Sequence, residues 1–313
     1  MKEKTLYYCK NLKSIRKFSK SVNRKRNINA MTADLIRTTH SIEKGLSIKN
    51  TKLGFGHKKQ EKMMNLIKLI EKQDSIYCKE AVVMAISAIN QYIKYHEEQG
   101  YCDDFIIAMK KFIDDRKNMI NDSYGGTIKI DCDKLKFDEN VIEDFINSRH
   151  SIRIFSDKPV DKNVLIKAIK LAQRCPSACN RQGVRVYVIE KSKAQVVIKQ
   201  LGGIGGFAES IDKIIIVTGK LSAYTYNESN QFIVSASIFT GYLSLTLHLY
   251  GLGACIIQRP VIWNKDEEKI KRTFNIANDE QIVCMLGVGN IEGKINVPVS
   301  HRLNIEEFAK FIG

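Results

Sequence analysis

The stretch Arg149-His150-Ser151-Ile152-Arg153-Ile154-Phe155 carries two arginines and a serine at every second position. In an extended backbone successive side chains alternate between two faces, so Arg149, Ser151 and Arg153 share one face. Ile152 and Ile154 share the other face, where we expect the core to take them. A ledge of guanidinium and hydroxyl donors suits a phosphate or carboxylate ligand. A surface strand with solvated arginines has the same pattern, so this stretch alone does not define a site.

The segments around this stretch predict an α+β fold with a central sheet. Helical periodicity and short apolar runs alternate after it, whereas only helical periodicity occurs before it. The predicted helices cover residues 34–46, 58–72, 76–99, 103–120, 161–173, 193–201, 230–250 and 265–274, and the predicted strands cover 184–189, 214–218, 254–257 and 281–288. A turn-rich run at 121–126 marks the best boundary. We therefore predict a basic amphipathic segment (1–30), a helical domain (31–126) and a sheet-containing domain (136–313).

Charge is concentrated at the amino terminus. The chain of 313 residues has a formal net charge of +16, and residues 1–30 hold ten Lys or Arg against Glu3 alone. If residues 6–25 form a helix, Tyr8, Leu12, Ile15, Phe18 and Val22 lie on one side of it and the cations on the other. Such a helix can lie on an anionic membrane or dock on its own protein, and the sequence does not separate the two. No aromatic-interleaved basic platform is present, which argues against nucleic-acid binding.

Cysteine usage and hydropathy predict a cytoplasmic protein without a metal site. The eight cysteines include no C-x-x-C pair, and the amino terminus lacks the apolar core of a signal peptide. Residues 232–257 contain no charged side chain and are long enough to span a bilayer. Their Ser, Thr, His and Gly residues lower the hydropathy, so we predict a central core or subunit-interface helix.

Common phosphate-binding and hydrolytic motifs are missing from the sequence. The glycine-rich run at 201–206 follows a predicted helix and precedes a predicted strand, whereas a dinucleotide-binding loop needs the opposite order. No G-x-x-x-x-G-K-[ST], H-E-x-x-H or G-x-S-x-G string occurs. NTPase, zinc-protease and α/β-hydrolase chemistry therefore has no support.

Four landmarks in order carry a family resemblance. They are the ledge at 149–155, the run Cys-Pro-Ser-Ala-Cys-Asn-Arg-Gln at 175–182, the charge-free helix ending in Gly251-Leu252-Gly253, and His301-Arg302. Between Lys136 and Phe311 the chain resembles the FMN-dependent nitroreductase family. The resemblance implies a nitroreductase-like α/β/α sandwich with a central, mostly antiparallel sheet, plus the amino-terminal helices. It also implies a homodimer with two FMN sites at the subunit interface.

The resemblance further implies which residues contact FMN. Arginine and serine side chains would bind its phosphate, and the loop from residue 176 would place hydroxyl and amide groups on the flavin of the partner subunit. The implied contacts are Arg149, His150, Ser151, Arg153, Pro176, Ser177, Asn180, Gln182, Cys255, Ile256, Ile257 and Arg302. No general acid or base is implied, because the flavin itself performs the redox chemistry. The family often has Pro-Trp where this chain has Gly183-Val184, which predicts a reshaped acceptor pocket.

The implied activity is hydride transfer from NAD(P)H through FMN to a small acceptor. The run Thr-His-Ser-Ile-Glu-Lys-Gly-Leu at 39–46 and Gly-Phe-Gly at 54–56 resemble the extension of a nitroreductase-like subgroup associated with polysaccharide biosynthesis. That association names no reaction. The alternative is a flavin-binding protein of the same fold without turnover, which acts as a scaffold or regulator at a membrane or an assembly complex.

Overall fold

The computed structural model of the chain describes residues 2–19, 27–199, 201, 204–258 and 264–313. Its first half is helical, and its second half mixes helices with strands. The helices are α1 (Lys2–Phe18), α2 (Ile28–Leu46), α3 (His57–Ile70), α4 (Ile76–Glu98), α5 (Asp104–Asp114), α6 (Glu139–Ser148), α7 (Lys162–Ala172), α8 (Lys191–Ile198), α9 (Gln231–Leu249), α10 (Asn264–Thr273) and α11 (Ile305–Phe308). The strands are β1 (Val184–Glu190), β2 (Lys213–Lys220), β3 (Leu252–Gln258) and β4 (Glu280–Asn290).

These elements lie close to the predicted ones, and the clearest difference is at α5. The helix predicted over 103–120 ends at Asp114, and a short 3₁₀ turn follows at Lys117–Met119. Residues 20–25 of the predicted basic helix and residues 202 and 203 of the glycine-rich run lie outside the described residues.

The four strands form one antiparallel sheet in the order β1-β2-β4-β3. Strand β2 is buried along its whole length, and its residues alternate between two cores. Ile214 and Ile216 pack towards α8 and α10, whereas Ile215 and Val217 pack towards α7 and α9. This alternation is what a two-sided, buried strand requires. The predicted α/β/α sandwich with a central antiparallel sheet is thus confirmed.

Helices α2 to α5 pack around a core of their own. Their buried residues include Leu35, Ile67, Ile89 and Met109, each fully enclosed. Polar caps begin two of these helices: the Asn27 side chain accepts from the Ala30 amide, and Asp103 does the same for Ile106. The division into a helical domain of residues 31–126 and a domain of residues 136–313 stays a prediction.

A histidine fixes the Gly-Phe-Gly turn that follows α2. The amide of Gly54 donates to Nε2 of His96 at 3.0 Å, and Nδ1 of His96 lies 2.7 Å from the Tyr92 carbonyl. This geometry requires a neutral imidazole that donates through Nδ1. The Tyr92 hydroxyl donates to the Phe55 carbonyl, and a Cβ at Gly45 would collide with the Phe55 ring. Gly45 and the Gly-Phe-Gly turn, which belong to the amino-terminal runs at 39–46 and 54–56, therefore stabilise helix packing.

Helix α1 rests part of its apolar side on the rest of the chain. Ile15 is buried and Phe18 is half-buried in a cluster with Leu221, Tyr224 and Phe232. Leu12, one turn earlier, is 55% exposed. The structure thus has the contact that the docking alternative predicts, and membrane contact through residues 6–25 stays a prediction.

Candidate functional site

The ledge at 149–155 lies against the sheet without being a strand of it. The Ile152 amide donates to the Ala254 carbonyl of β3 at 3.0 Å, and the Ser156 amide donates to the Asn290 carbonyl of β4 at 2.9 Å. These isolated bonds fix the segment across the ends of two neighbouring strands. Because it makes no continuous ladder, its side chains need not alternate strictly between two faces.

The predicted burial of the ledge is right for Ile152 and wrong for Ile154. Ile152 and Phe155 are buried, whereas Ile154 is 58% exposed. Two glycines leave room for the buried pair: a Cβ at Gly253 would lie 2.9 Å from Ile152, and one at Gly289 would lie 2.7 Å from Phe155. The core thus takes Ile152 and Phe155, which are three positions apart, and Ile154 faces outward.

A cavity of about 220 Å³ opens beside the ledge, at the end of the sheet where β3 begins. Among the predicted site residues it brings together Arg149, His150, Ser151 and Ile256. The other lining residues are Ser148, Ile152, Ser244, His248, Leu252, Ala254, Ile291, Ile295 and Val297. The cavity thus combines one cationic, hydroxyl-bearing edge with an apolar wall.

The arginines of this region are free to bind an added anion. In the part of the chain that the structure describes, the arginines in ion pairs are Arg37, Arg116 and Arg181. Arg149 and Arg153 form no ion pair there, and Arg153 binds only the Ser151 carbonyl, at 3.4 Å. Arg149 is half-buried and Arg153 is exposed, and cations without a carboxylate partner are suited to a phosphate ligand.

His248 is a residue of this cavity that sequence reasoning missed. Its Nε2 atom lies 2.8 Å from the Ser148 hydroxyl, and its ring stacks on Phe145 of α6. Burial lowers the pKa of His248, and the nearby charges of Arg149 and His150 lower it further. The imidazole is therefore neutral at pH 7 and joins α6 to α9 behind Arg149. The signal in the sequence that could have pointed to His248 is that it is the one histidine in the otherwise uncharged helix α9.

Residues 175–182 form a separate loop, and none of them lines the described cavity. Ser177 and Asn180 are half-buried, and Gln182 is exposed. The Gln182 amide donates to the Ser177 hydroxyl at 3.1 Å, and the Gln182 side chain lies 3.4 Å from the Asn180 side-chain oxygen. The polar groups predicted to contact FMN are thus close to one another, while Pro176 beside them is exposed.

Three further predicted contacts lie in two other places, strand β3 and the carboxyl-terminal segment. Cys255 and Ile257 are buried in β3, on the sheet face opposite that of Ile256, so only their backbone can face the cavity edge. Burial raises the pKa of the Cys255 thiol, which is therefore protonated at pH 7. Arg302 lies in the exposed carboxyl-terminal segment, where it binds the Ser300 carbonyl. The structure does not bring Arg302 to the cavity of its own chain.

The family comparison matches the part of the chain that carries these features. The nitroreductase family model matches residues 146–213 and 205–290. This match confirms, for residues 146–290, the resemblance predicted from the sequence. The likeness of the amino-terminal helices to a polysaccharide-linked subgroup stays a prediction. The comparison with curated proteins gives no match.

Solved structures similar to this chain include three bacterial proteins. An FMN-dependent nitroreductase from Clostridium difficile is 22% identical, with 54% of this chain and 98% of that chain covered and a TM-score of 0.46. A nitroreductase family protein from Streptococcus pneumoniae is 19% identical, with coverages of 55% and 100% and a TM-score of 0.45. A nitroreductase-like protein from Streptococcus mutans is 19% identical, with coverages of 56% and 100% and a TM-score of 0.47.

Proposed function

We propose that this chain is an FMN-dependent oxidoreductase that works as a homodimer. The observation that carries the proposal is the cavity beside the ledge, where Arg149 and Ser151 offer guanidinium and hydroxyl donors without a carboxylate partner among the described residues. The nitroreductase family match over residues 146–290 supports the same reading. The donor set fits FMN, because its phosphate carries close to two negative charges.

The size of the cavity supports a site shared between two chains. Ligand pockets usually enclose roughly 300–1,000 Å³, and the cavity of a single chain measures about 220 Å³. The loop at 176–182 and Arg302 lie outside it. In a homodimer the loop of one protomer would reach the cavity edge of the other and complete it, as the family resemblance implies.

Apolar surface on the outside of the sandwich supports this assembly. Helix α9 packs its inner face on the sheet and exposes apolar side chains on its outer face. It is also the one helix of the described residues with the length and composition of a membrane span. Further exposed apolar side chains lie on α6 and in the carboxyl-terminal segment: Val141, Ile142, Ile146, Val299, Leu303, Ile305, Phe308, Phe311 and Ile312. Exposed apolar side chains in these numbers support a surface that binds a partner, such as a second copy of the chain.

When bound, FMN would supply the redox chemistry by taking up a hydride from NAD(P)H and passing it to a small acceptor. The chain would hold the phosphate with Arg149, Ser151, Arg153 and Arg302 and would orient the ring with Ser177, Asn180 and Gln182. Part of the proposal is that the activity is linked to polysaccharide biosynthesis, which rests on the amino-terminal resemblance alone, and the acceptor is not identified.

The deciding experiment is an absorbance spectrum of the purified full chain with added FMN, followed by anaerobic titration with NADH and NADPH. We expect a bound flavin whose visible absorbance bleaches on titration and returns when an electron acceptor is added. A protein that retains no FMN would contradict the proposal. Tight FMN binding without bleaching by either nucleotide would instead favour a flavin-binding scaffold without turnover.

A further inference from the structure

The loop that carries Ser177, Asn180 and Gln182 has an unusual backbone. Cys179 and Asn180 have φ angles of 51°, and Gln182 has a φ of 48°. An ordinary L-residue adopts this left-handed region only at a cost, because its Cβ comes too close to the backbone. Three such residues within four positions persist only when the surroundings fix them, and strain of this kind gathers at functional sites.

Arg181 is the residue that fixes this loop from inside. Its side chain is 1% exposed and forms two hydrogen bonds to the Glu228 carboxylate, of 2.9 and 2.6 Å. It also donates to the carbonyls of Ala178 at 2.9 Å and Ala223 at 3.1 Å, and its guanidinium lies over the Tyr224 ring. Only a planar fork of five donors can make this set of bonds.

The direction of Arg181 sets the direction of its neighbours. Because Arg181 points into the core between two left-handed residues, Asn180 is half-buried and Gln182 is exposed on the outer side of the loop. Those are the two side chains that the proposed function places on the flavin. A loss of the Arg181 contacts would free the backbone to leave the left-handed region, and both amides would change position.

Helix α4 of the amino-terminal region also contacts this loop. The Tyr77 hydroxyl, in the first turn of α4, donates to the Arg181 carbonyl at 3.5 Å. The Tyr77 ring lies under the guanidinium of Arg185, which donates to the carbonyls of Gln182 at 3.0 Å and Val184 at 2.7 Å. Burial raises the pKa of Tyr77 to about 12, so the phenol keeps its proton. The loop is thus supported through backbone groups on both sides of Gln182.

We propose that Arg181 is a positioning residue of the flavin site, and that Tyr77 makes the helical region a second support of the same loop. The proposal rests on the proposed function. It differs from a general stabilising role because it predicts a specific loss of flavin binding. The chain offers a matched control, because Arg116 and Glu71 form a second two-bond Arg–Glu pair, of 2.9 and 3.1 Å, within the helical region.

The test compares Arg181→Lys with Arg116→Lys in the full chain. Both variants should lose thermal stability, since a lysine cannot form the two parallel bonds. Only Arg181→Lys should weaken FMN binding, by about tenfold or more, which corresponds to about 1.4 kcal/mol, and it should shift the visible spectrum of the bound flavin. Tyr77→Leu should weaken FMN binding in the same direction.

The outcomes separate this proposal from the proposed function. If the unaltered protein binds no FMN, the proposed function fails. If it binds FMN and Arg181→Lys binds equally tightly with an unchanged spectrum, the positioning role is wrong. Should Arg181→Lys fail to fold, Glu228→Gln removes the charge of the pair more mildly and is judged by the same two readouts.

Discussion

Gly183 and Tyr224 lie so close together that no side chain fits at position 183. A Cβ built on Gly183 would lie 2.7 Å from the Tyr224 hydroxyl oxygen and 3.0 Å from Ala223. The hydroxyl is fixed in turn, because it donates to the Ser235 hydroxyl at 3.0 Å. A side chain at position 183, such as the proline that the family often has here, would therefore collide with Tyr224 in this chain. The ring of Tyr224 occupies the space that a side chain at 183 would need.

We expect Gly183→Ala to destabilise the protein by about 1–3 kcal/mol, the usual cost of overpacking a filled core. Tyr224→Phe removes the oxygen that the new methyl group would meet. The double variant should therefore lose less stability than the sum of the two single variants, which urea unfolding would measure. Gly205→Ala is the control, because no atom lies within 4 Å of a Cβ there. Strict additivity would contradict the steric explanation.

Arg149→Met should weaken FMN binding by about tenfold or more, because a charge-assisted bond to phosphate contributes roughly 1.5–3 kcal/mol. The loss should shrink as the salt concentration rises, since screening already weakens the contact in the unaltered protein. Fluorescence quenching of FMN on binding would measure both effects. Arg272→Met, on α10, removes an arginine away from the cavity and should leave the affinity unchanged. Equal losses in the two variants would point to net charge alone.

If the chain forms the proposed homodimer, Ile238→Glu should convert it into a monomer. Ile238 is exposed on the outer face of α9, and a carboxylate there would be buried without a partner in the proposed interface. Sedimentation velocity would give the assembly state, and FMN binding should fall in parallel because each site would lose the loop of the partner. Ile107→Glu, at an exposed isoleucine of α5, is the matched control and should remain a dimer. A variant that stays dimeric would contradict the assignment of α9 to the interface.

The Arg181–Glu228 pair predicts a specific acid sensitivity. Hydrogen bonds from Arg181 hold the pKa of Glu228 at about 2, below its ordinary value of 4.5. The folded state therefore binds fewer protons than the unfolded state between these values, and the stability that the pair contributes is lost as the pH falls from 4.5 towards 2. Glu228→Gln should be less stable at pH 7 and should lose less further stability on acidification. Parallel stability–pH curves for both proteins, from denaturant unfolding, would contradict this.

Local sequence pattern was enough to predict most of the elements of the fold. The apolar run in β2 and the uncharged length of α9 each predicted a buried element, because burial on two sides leaves no place for charge. Ile154 shows the limit of the pattern. Strict alternation holds only in a paired strand, and the ledge crosses strand ends with single bonds.

Pairing between side chains far apart in the sequence is a second physical reason why the candidate site was only partly predictable. Arg181 stands between Asn180 and Gln182 in a polar loop, and a charged residue in such a loop is usually solvated. Its burial depends on Glu228, which follows β2 far along the chain, and nothing local in the sequence pairs the two. Arg149 and Ser151 do line one cavity, as their spacing predicts, and their contact with FMN stays a prediction.

The separate core of helices α2 to α5 has a consequence for the order in which the chain folds. Its contacts join segments close in sequence, whereas the sheet must pair Lys213 with Val288. Cores of local contacts form faster than sheets of distant strands, and amino-terminal units fold first during synthesis. We expect Tyr77 to be fixed in α4 before residues 177–182 have left the ribosome. The loop would then fold against a surface that is already formed. A circular permutation that moves the helices to the carboxyl end would keep every contact, but it should slow the recovery of flavin binding.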